Sequence, residues 1–350
     1  MKKIFFPAAF LFAISAICFS ETIHVPGDYP SIRYAVQIAQ EGDEVIVEPG
    51  TYVENIIFQG RNITLKSSSG PEVTVIDGKN PSPQDWGSVV IFNNHERADC
   101  VLEGFTLING SGTSNDKYDY SKGGGIYCNG ASPTLRNLII TKNSAISGGG
   151  IYCDYDSKPT MIDLVIIDNS ASMNAYSPPE GIGGGIACCI TLTDISNLYI
   201  CGNKATFGGG IGCSSAAMTI SNNTICENMA EDGGGIWSYN ATVSITNNTI
   251  SNNLAGNGGG IYNAPPYYQD GFFAITVRNN TFTQNSANHD GGGLWLECGD
   301  NSIVSGNIIT DNSAGSDGGG LCVQKSSPHF KNNVIIGNAS QYRGGGLYVY

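Results

Sequence analysis

Basic side chains are scarce in this sequence. Its 350 residues include 17 Lys and Arg against 30 Asp and Glu, which gives a formal net charge of -13. Binding to nucleic acid needs a basic face that neutralises phosphates. The charge balance therefore argues against nucleic acid as a partner, whereas it is compatible with cations such as calcium.

Long apolar runs are missing after the first 20 residues. Lys2 and Lys3 precede an apolar run from Ile4 to Ile17, and the segment 1–20 has the pattern of a secretory signal peptide cut after Ser20. We therefore expect an exported protein. No later stretch approaches the roughly 18 apolar residues that a membrane helix needs, so we expect no transmembrane segment after cleavage.

Sequence motifs for metal or dithiol chemistry are missing as well. There is no C-x-x-C and no H-E-x-x-H, although ten of the 11 cysteines follow the signal peptide. Cys201 and Cys226 share one repeat position, so a disulfide between them is allowed but not required. Four other cysteines share another position and are interpreted as a stack of small buried side chains: Cys128, Cys153, Cys188 and Cys213.

Glycine is abundant, with 47 residues, and it is periodic. Three glycines precede Ile or Leu at nine places, which begin at Gly123, Gly148, Gly183, Gly208, Gly233, Gly258, Gly291, Gly318 and Gly344. Successive motifs start 25, 35, 25, 25, 25, 33, 27 and 26 residues apart. Such a period indicates stacked repeats in which each unit forms one layer.

Asparagine follows the same period in two columns. The first column is Asn143, Asn169, Asn203, Asn228, Asn253, Asn285, Asn312 and Asn338. The second column is Asn137, Asp163, Asn197, Asn222, Asn247, Asn279, Gly306 and Asn332. Stacked amides can pass hydrogen bonds between layers and satisfy turn backbone, so we predict amide ladders at two corners.

The residues before the repeats predict a cap over residues 21–44. Within it, Ile32, Ala35, Val36 and Ala39 have helical spacing and indicate one short amphipathic helix. A helix lying across the first layer would cover an open sheet edge.

Together these patterns predict an all-β fold, a right-handed parallel β-helix. A unit of about 25 residues with short strands and corners of Gly or Asn fits one turn of such a coil, whose strands stack about 4.8 Å apart. We expect a single domain over residues 21–350, with regular coils over 122–350. The last motif ends in mid-layer at Tyr350, so we expect the coil to continue beyond this sequence.

The repeats resemble those of the polymorphic outer-membrane-protein family. Ile140-Thr-Lys-Asn143, Ile225-Cys-Glu-Asn228 and Phe282-Thr-Gln-Asn285 alternate with the glycine motifs, as Phe-x-x-Asn alternates with Gly-Gly-x-Ile in that family. The segment from Ile23 to Gly78 is similar to the start of pectin-lyase-like β-helix proteins. The resemblance implies a right-handed parallel β-helix on a secreted, extracellular or outer-cell-surface protein.

Aromatic residues mark the first candidate site. Trp237, Tyr262 and Trp295 follow the Ile or Leu of three consecutive glycine motifs, a position expected to point outward because side chains alternate along a strand. Rings about 4.8 Å apart could stack on successive sugars of an extended glycan. Alternatively, they pack across strands and only stabilise the sheet. We predict carbohydrate binding at these three residues.

Charged residues mark the second candidate site. The column just before the glycines contains Asp232, Asn257, Asp290, Asp317 and Arg343. Adjacent carboxylates of Asp290 and Asp317 could bind calcium, with Arg343 one layer away as a candidate proton acceptor. This arrangement resembles in kind the sites of polysaccharide lyases of this fold. Alternatively, Arg343 balances the charge of Asp317.

Insertions between the repeats offer a third candidate site, because loops on a rigid coil often carry function. They span residues 111–122, 172–182 and 264–272. Tyr118, Tyr120 and Tyr176 make the corner shared by the first two insertions the better candidate groove. The alternative is that the insertions only change the length of surface loops and have no function.

These features favour a non-catalytic, exported surface protein that binds polysaccharide or another host or cell-surface ligand. We expect a monomer that requires no cofactor, with calcium as the one candidate ion. The alternatives are a polysaccharide lyase or glycoside hydrolase acting on acidic glycans, and a purely structural rod. The fold alone does not decide among them.

Overall fold

The computed structural model describes residues 20–114, 120–172, 181–265, 274–297 and 301–350. Its strands pair in parallel with strands one layer earlier and one layer later, so the chain forms a coil of stacked layers. Within these ranges the only α-helix is Ile32–Ile38, and none of the described helical structure is long enough to span a membrane. Nearly all of the expected signal peptide, 1–20, lies outside the described residues.

The glycine motifs precede nine of the eleven described strands of one sheet, here called the glycine sheet. Its eleven described strands are Ile56–Ile57, Val90–Phe92, Ile126–Asn129, Ile151–Asp154, Ile186–Cys189, Ile211–Ser214, Ile236–Tyr239, Ile261–Ala264, Leu294–Leu296, Leu321–Val323 and Leu347–Val349. The pairing register aligns equivalent positions of the repeat, such as Ile126 with Ile151. The columns predicted from the sequence are therefore real columns in space.

The longest sheet lines another side of the coil. Its 15 described strands are Thr22–Val25, Glu44–Val47, Gly50–Tyr52, Thr64–Ser67, Thr74–Asp77, Val101–Glu103, Thr106–Ile108, Thr134–Thr141, Thr160–Ile167, Tyr199–Cys201, Thr224–Cys226, Thr249–Ser251, Thr281–Thr283, Ile308–Thr310 and Val334–Ile336. The strands of this sheet face those of the glycine sheet across a shared apolar interior.

Smaller sheets complete the layers. A six-stranded sheet comprises Ile195–Ser196, Ala217–Ser221, Thr242–Thr246, Thr276–Arg278, Ile303–Ser305 and His329–Lys331. A four-stranded sheet comprises Leu254–Ala255, Ser286–Ala287, Ser313–Ala314 and Ala339–Ser340. Ser144–Ala145 pairs in parallel with Ser170–Ala171, and Trp86–Gly87 pairs antiparallel with Gly112–Thr113.

The helix caps the first layers, as predicted. It begins after Ser31, whose hydroxyl accepts a hydrogen bond from the amide of Tyr34 at 3.2 Å. The Glu54 carboxylate accepts from the first two helical amides, those of Ile32 and Arg33, at 3.1 and 2.7 Å. These bonds satisfy orphan donors at the helix start. The helix buries Ile32, Ala35 and Val36 against the first strands of the coil.

The first and second positions of each triple glycine require glycine for different reasons. The first glycine of every motif has a positive φ, for example +66° at Gly233, which disfavours residues with a Cβ atom. The second glycine meets the next layer, since a Cβ on Gly234 would lie 2.6 Å from the carbonyl oxygen of Gly259. Any side chain there would push the layers apart.

The first asparagine column forms the predicted ladder. Its members are almost fully buried in the middle of the coil, and each side chain bonds to the next, as in the 3.0 Å bond from Asn228 Nδ2 to Asn253 Oδ1. The same Nδ2 donates to the carbonyl of Ile200 in the preceding layer, and the Asn228 amide donates to Asn253 Oδ1. Each side chain thus satisfies buried backbone of the preceding layer and bonds to the asparagine side chain of the following layer.

The second ladder is displaced by one residue from its predicted position, so that prediction was wrong in register. The predicted members, such as Asn222 and Asn247, are exposed and have φ of 57° and 58°. From the layer of Asn222 onward, the ladder is formed by the next residue, as in the 3.0 Å bond from Asn223 Nδ2 to Asn248 Oδ1, whereas the three earlier layers have leucine there. Asparagine tolerates the left-handed turn conformation, which explains its presence at the exposed position, and its hydrogen bonds explain its presence at the buried one.

The cysteines behave as two sets. The inner column, which includes Cys153 and Cys188 in register, is buried in the core as free thiols. Cys201 and Cys226 also lie in register on adjacent strands, each 7% exposed and free. Burial is the largest factor that raises the pKa of Cys226, to about 12. This thiol is therefore protonated at neutral pH, which slows its oxidation.

A break in the asparagine ladder should destabilise the coil. We expect Asn228→Ala to lower the free energy of unfolding by about 2–4 kcal/mol, because it leaves buried backbone groups without partners. Asn288→Ala removes an exposed asparagine and should change it by less than about 0.5 kcal/mol. Urea unfolding followed by circular dichroism measures both, and equal effects would contradict a structural role for the ladder.

Candidate carbohydrate-binding face

The outer side of the glycine sheet carries the predicted aromatic column. Trp237 pairs in register with Tyr262, and Tyr262 pairs with Trp295. These residues alternate along their strands with buried Ile and Leu side chains, so they point away from the main core. The prediction that three consecutive layers align these rings is confirmed.

The expectation that all three rings lie open to solvent is wrong. Trp237 is 3% exposed and Trp295 is 7% exposed, while Tyr262 is partly buried. Tyr262 and Trp295 stack face to face, with ring centroids 4.4 Å apart and planes 6° from parallel. The rings therefore pack against each other, because aromatic side chains on adjacent strands stack at the sheet spacing.

Two further aromatic residues, which the sequence reasoning missed, belong to the same face. Phe207 packs on Trp237 with centroids 5.1 Å apart, and Tyr239 stacks on Trp237 at 5.5 Å with planes 9° from parallel. Tyr239 stands two residues after Trp237, so the alternation rule could have found it. We call Phe207, Trp237, Tyr239, Tyr262 and Trp295 the aromatic patch.

Phe207 reaches this face because of the glycine corner. It stands directly before Gly208, whose φ of +69° turns the chain sharply into the next strand. Ile182, which belongs to the preceding layer, lies over Gly212. A Cβ atom on Gly212 would clash with the Ile182 side chain. Residues before a triple glycine therefore fold over the outer face and form a second apolar cluster with Tyr127, Tyr152 and Trp237.

The aromatic patch consists of buried rings on the sheet and partly exposed rings that pack beside them. The two tryptophans are buried, whereas Phe207, Tyr239 and Tyr262 remain partly accessible. Rings that are fixed by stacking on their neighbours lose little freedom when a ligand binds. A surface of this kind suits the apolar faces of sugar rings, with tyrosine hydroxyls as polar groups at its edge.

The acidic column forms a connected ladder. Asn257 Nδ2 donates to Asp232 Oδ1 at 2.9 Å, and the Asp317 amide donates to Asp290 Oδ1 at 3.0 Å. The Arg343 amide in turn donates to Asp317 Oδ1 at 3.0 Å. Asp290 and Asp317 thus accept from backbone of the next layer, whereas the ladder asparagines accept from backbone of the preceding layer.

Arg343 is engaged with Asp317. Its Nε and a terminal guanidinium nitrogen donate to the two carboxylate oxygens at 3.2 and 2.6 Å, and the guanidinium lies 4.4 Å from the ring centre of Tyr348. The hydrogen bonds to Asp317 raise the pKa of Arg343. A proton acceptor needs a lowered pKa, so this geometry agrees with Arg343 balancing Asp317.

The predicted calcium ligands are neighbours, but they are already engaged. Asp317 is bound by Arg343, and Asp290 accepts from the Asp317 amide. Calcium usually takes six to eight oxygen ligands. In the described part of the chain, no group of three or more His, Cys, Asp or Glu residues is placed to hold a metal. Calcium at Asp290 and Asp317 stays a prediction.

The insertions are only partly described. Tyr118 lies in 115–119 and Tyr176 lies in 173–180, both outside the described residues. Most of the third insertion, 264–272, is also outside them.

Comparison with protein families agrees with the repeat pattern. The model for "Right handed beta helix region" matches residues 209–350. The model for "Chlamydia polymorphic membrane protein (Chlamydia_PMP) repeat" matches residues 137–154, which contain one asparagine tetrad and one triple glycine. A search of curated protein sequences finds no match.

Comparison with a solved pectate lyase structure supports the same fold. A pectate lyase, Pel9A, has a TM-score of 0.52 and 14% sequence identity, over 95% of this chain and 82% of its own. A pectin methylesterase in complex with a hexasaccharide has a TM-score of 0.33 and 10% identity, over 88% of this chain and 89% of its own. The chain is a right-handed parallel β-helix, as predicted.

The acidic column should impose a pH dependence on stability. Burial is the largest influence on Asp232 and raises its pKa above the ordinary value. The stability that this carboxyl contributes is thus present below the unfolded pKa, about 3.9, and is lost as pH rises through the folded pKa. The melting temperature of Asp232→Asn minus that of wild type at the same pH should therefore be larger at pH 7 than at pH 3.

Thermal unfolding at the two pH values measures this difference. Asp163→Asn, at an exposed turn position, is the matched control and should show little change in its relative melting temperature between pH 3 and pH 7. If the melting temperature of Asp232→Asn exceeds that of wild type by more at pH 3 than at pH 7, the raised pKa of Asp232 is contradicted.

Proposed function

We propose that this chain is an exported, extracellular or cell-surface β-helix protein that binds polysaccharide at the aromatic patch and does not cleave it. One observation carries the proposal: two aromatic stacks, Phe207–Trp237–Tyr239 and Tyr262–Trp295, occupy consecutive layers on one outer face. The match to a membrane-protein repeat supports a surface location.

The spacing of the layers favours an extended ligand. Parallel strands repeat about every 4.8 Å along the coil, so partly exposed rings on successive layers offer repeated contacts to a chain of sugars. Tyr239 and Tyr262 lie in neighbouring layers, because their strands pair directly. A polymer with repeating sugar faces can use such contacts together, whereas a single sugar can use only one at a time.

Binding without cleavage is favoured by the state of the charged column. A lyase needs a base that loses its proton readily near the reacting sugar. The basic side chain that bonds directly to the acidic pair is that of Arg343, which is held protonated by its bonds to Asp317. This site is therefore better suited to holding successive layers together than to removing a proton.

Removal of the accessible tyrosines should weaken glycan binding. We expect Tyr239→Ala with Tyr262→Ala to raise the Kd for the bound polysaccharide about tenfold, since about 1.4 kcal/mol corresponds to a factor of ten and stacked rings contribute of that order. Affinity electrophoresis through gels containing xylan, homogalacturonan, mixed-linkage β-glucan or soluble chitosan identifies the polysaccharide and measures the change.

The matched control is Tyr34→Ala, which removes a tyrosine 50% exposed on the capping helix. Its Kd should equal that of wild type. Circular dichroism verifies that the double variant is folded. The proposal fails if none of the polysaccharides retards the protein, or if the folded double variant binds as tightly as wild type.

The protein should not cleave these polysaccharides. Incubation with homogalacturonan and calcium should give no increase in absorbance from unsaturated sugars, and no polysaccharide of the panel should yield reducing ends. Cleavage that is lost in Arg343→Gln would instead establish the enzymatic alternative. Asp163→Asn is the control for that variant.

A further inference from the structure

A polar cleft lies at the corner of the first insertion, away from the aromatic patch. Its volume is about 700 Å³, and its walls include Lys79, Asn80, Gln84, Asp85, Ser111 and Ser121. Clefts of roughly 300–1,000 Å³ hold ligands of small-molecule size. We call this feature the corner cleft.

The walls of the corner cleft are held by a local backbone network. Strand Trp86–Gly87 pairs antiparallel with Gly112–Thr113, in contrast to the parallel layers of the coil. The amide of Ser111 donates to the Gly87 carbonyl, and that of Ser114 donates to the Asp85 carbonyl, each at 2.8 Å. The two walls are therefore held together before a ligand binds, so less conformational entropy is lost when it binds.

A buried hydroxyl pair reinforces the same corner. Ser88 Oγ and Thr113 Oγ1 lie 2.8 Å apart and are almost fully buried. Thr113 also exchanges backbone hydrogen bonds with Lys122, at 2.8 and 3.0 Å. A Cβ on Gly87 would lie 2.6 Å from the carbonyl of Gly112, so glycine is needed for this close approach.

The charges around the corner cleft disfavour an anion. The ammonium of Lys79 lies 3.1 Å from the buried carboxylate of Asp77, which also accepts from Asn109 Nδ2 at 2.9 Å. Burial would raise the pKa of Asp77, but the bonds from Asn109 and Lys79 outweigh it and lower that pKa. Asp77 thus offsets the charge of Lys79, and Asp85 adds a negative charge to the described wall of the cleft.

The remaining wall groups match sugar hydroxyls. The amides of Asn80 and Gln84 each supply donors and an acceptor, and serine hydroxyls can do both. Pro81 and Ile146 add apolar surface to the lining. Polar groups of both kinds beside a small apolar area are what a sugar ring requires, because it carries hydroxyls at its edge and C–H groups on its faces.

We propose that the corner cleft is a second saccharide site, which takes short uncharged sugars and discriminates against uronic acids. This site is separate from the aromatic patch, and its ligand preference follows from Asp77, Lys79 and Asp85. It does not depend on whether the aromatic patch binds polysaccharide, because the two features share no residue.

Calorimetric titration with defined trisaccharides tests the proposal. The probes are cellotriose, maltotriose and xylotriose as uncharged sugars, and trigalacturonate as the acidic sugar. We expect at least one uncharged trisaccharide to bind, at least tenfold more tightly than trigalacturonate. Asn80→Ala with Gln84→Ala should raise its Kd at least tenfold, while Tyr239→Ala with Tyr262→Ala should leave it unchanged.

Two further variants sharpen the test. Gln37→Ala with Gln40→Ala removes two exposed amides at the capping helix and should leave the Kd unchanged. Asp85→Asn removes the charge of this wall carboxylate and should reduce the discrimination against trigalacturonate several-fold.

The proposal is overturned if no uncharged trisaccharide binds, or if the Asn80 and Gln84 changes leave the Kd unaltered. It is also overturned if trigalacturonate binds as tightly as the uncharged sugars. A loss of trisaccharide binding in the Tyr239 and Tyr262 variant would assign the ligand to the aromatic patch instead and contradict the corner cleft.

Discussion

At the corner that begins each glycine strand, the backbones of successive layers approach too closely for a Cβ atom. Gly234 lies against the carbonyl of Gly259 in this way, and the preceding Gly233 has a positive φ. The layers can therefore stack at the spacing of parallel strands only if three consecutive residues lack side chains. This constraint fixes the register of the glycine sheet, and every column of the coil inherits that register.

The buried asparagines meet a second requirement of a stacked coil. They provide hydrogen-bond partners for backbone groups in turns that water does not reach. Asn228 donates to the layer before it and to the layer after it, so each corner depends on both of its neighbours. Loss of the Asn228 side chain would leave the Ile200 carbonyl and the Asn203 amide of the preceding layer without this partner, and unpaired groups are costly when buried. Stability is therefore shared between adjacent layers, as in other repeat proteins.

The same regularity determines what the outer surface can do. Side chains that point outward occupy fixed positions, and on the glycine sheet they form the aromatic patch, in which Phe207 packs on Trp237 from the corner. The charged column uses its carboxylates and Arg343 to connect layers. These two arrangements are the basis for proposing that this surface contacts an extended ligand without acid–base chemistry.

The sequence by itself determined the fold, because periodic glycine, isoleucine and asparagine report the layer length and the inward face directly. It also placed Trp237, Tyr262 and Trp295 in neighbouring layers. Only the tertiary structure decided how exposed those rings are, because Phe207 packs on Trp237 from a glycine corner and Tyr262 stacks on Trp295. The direction in which such a corner turns cannot be read from the spacing of the repeats. The tertiary structure also shifted one amide ladder from Asn222 to Asn223, because one residue must adopt the left-handed turn before the next can point inward. The engagement of Arg343 with Asp317 and the walls of the corner cleft likewise depend on contacts between segments distant in sequence, which no repeat pattern encodes.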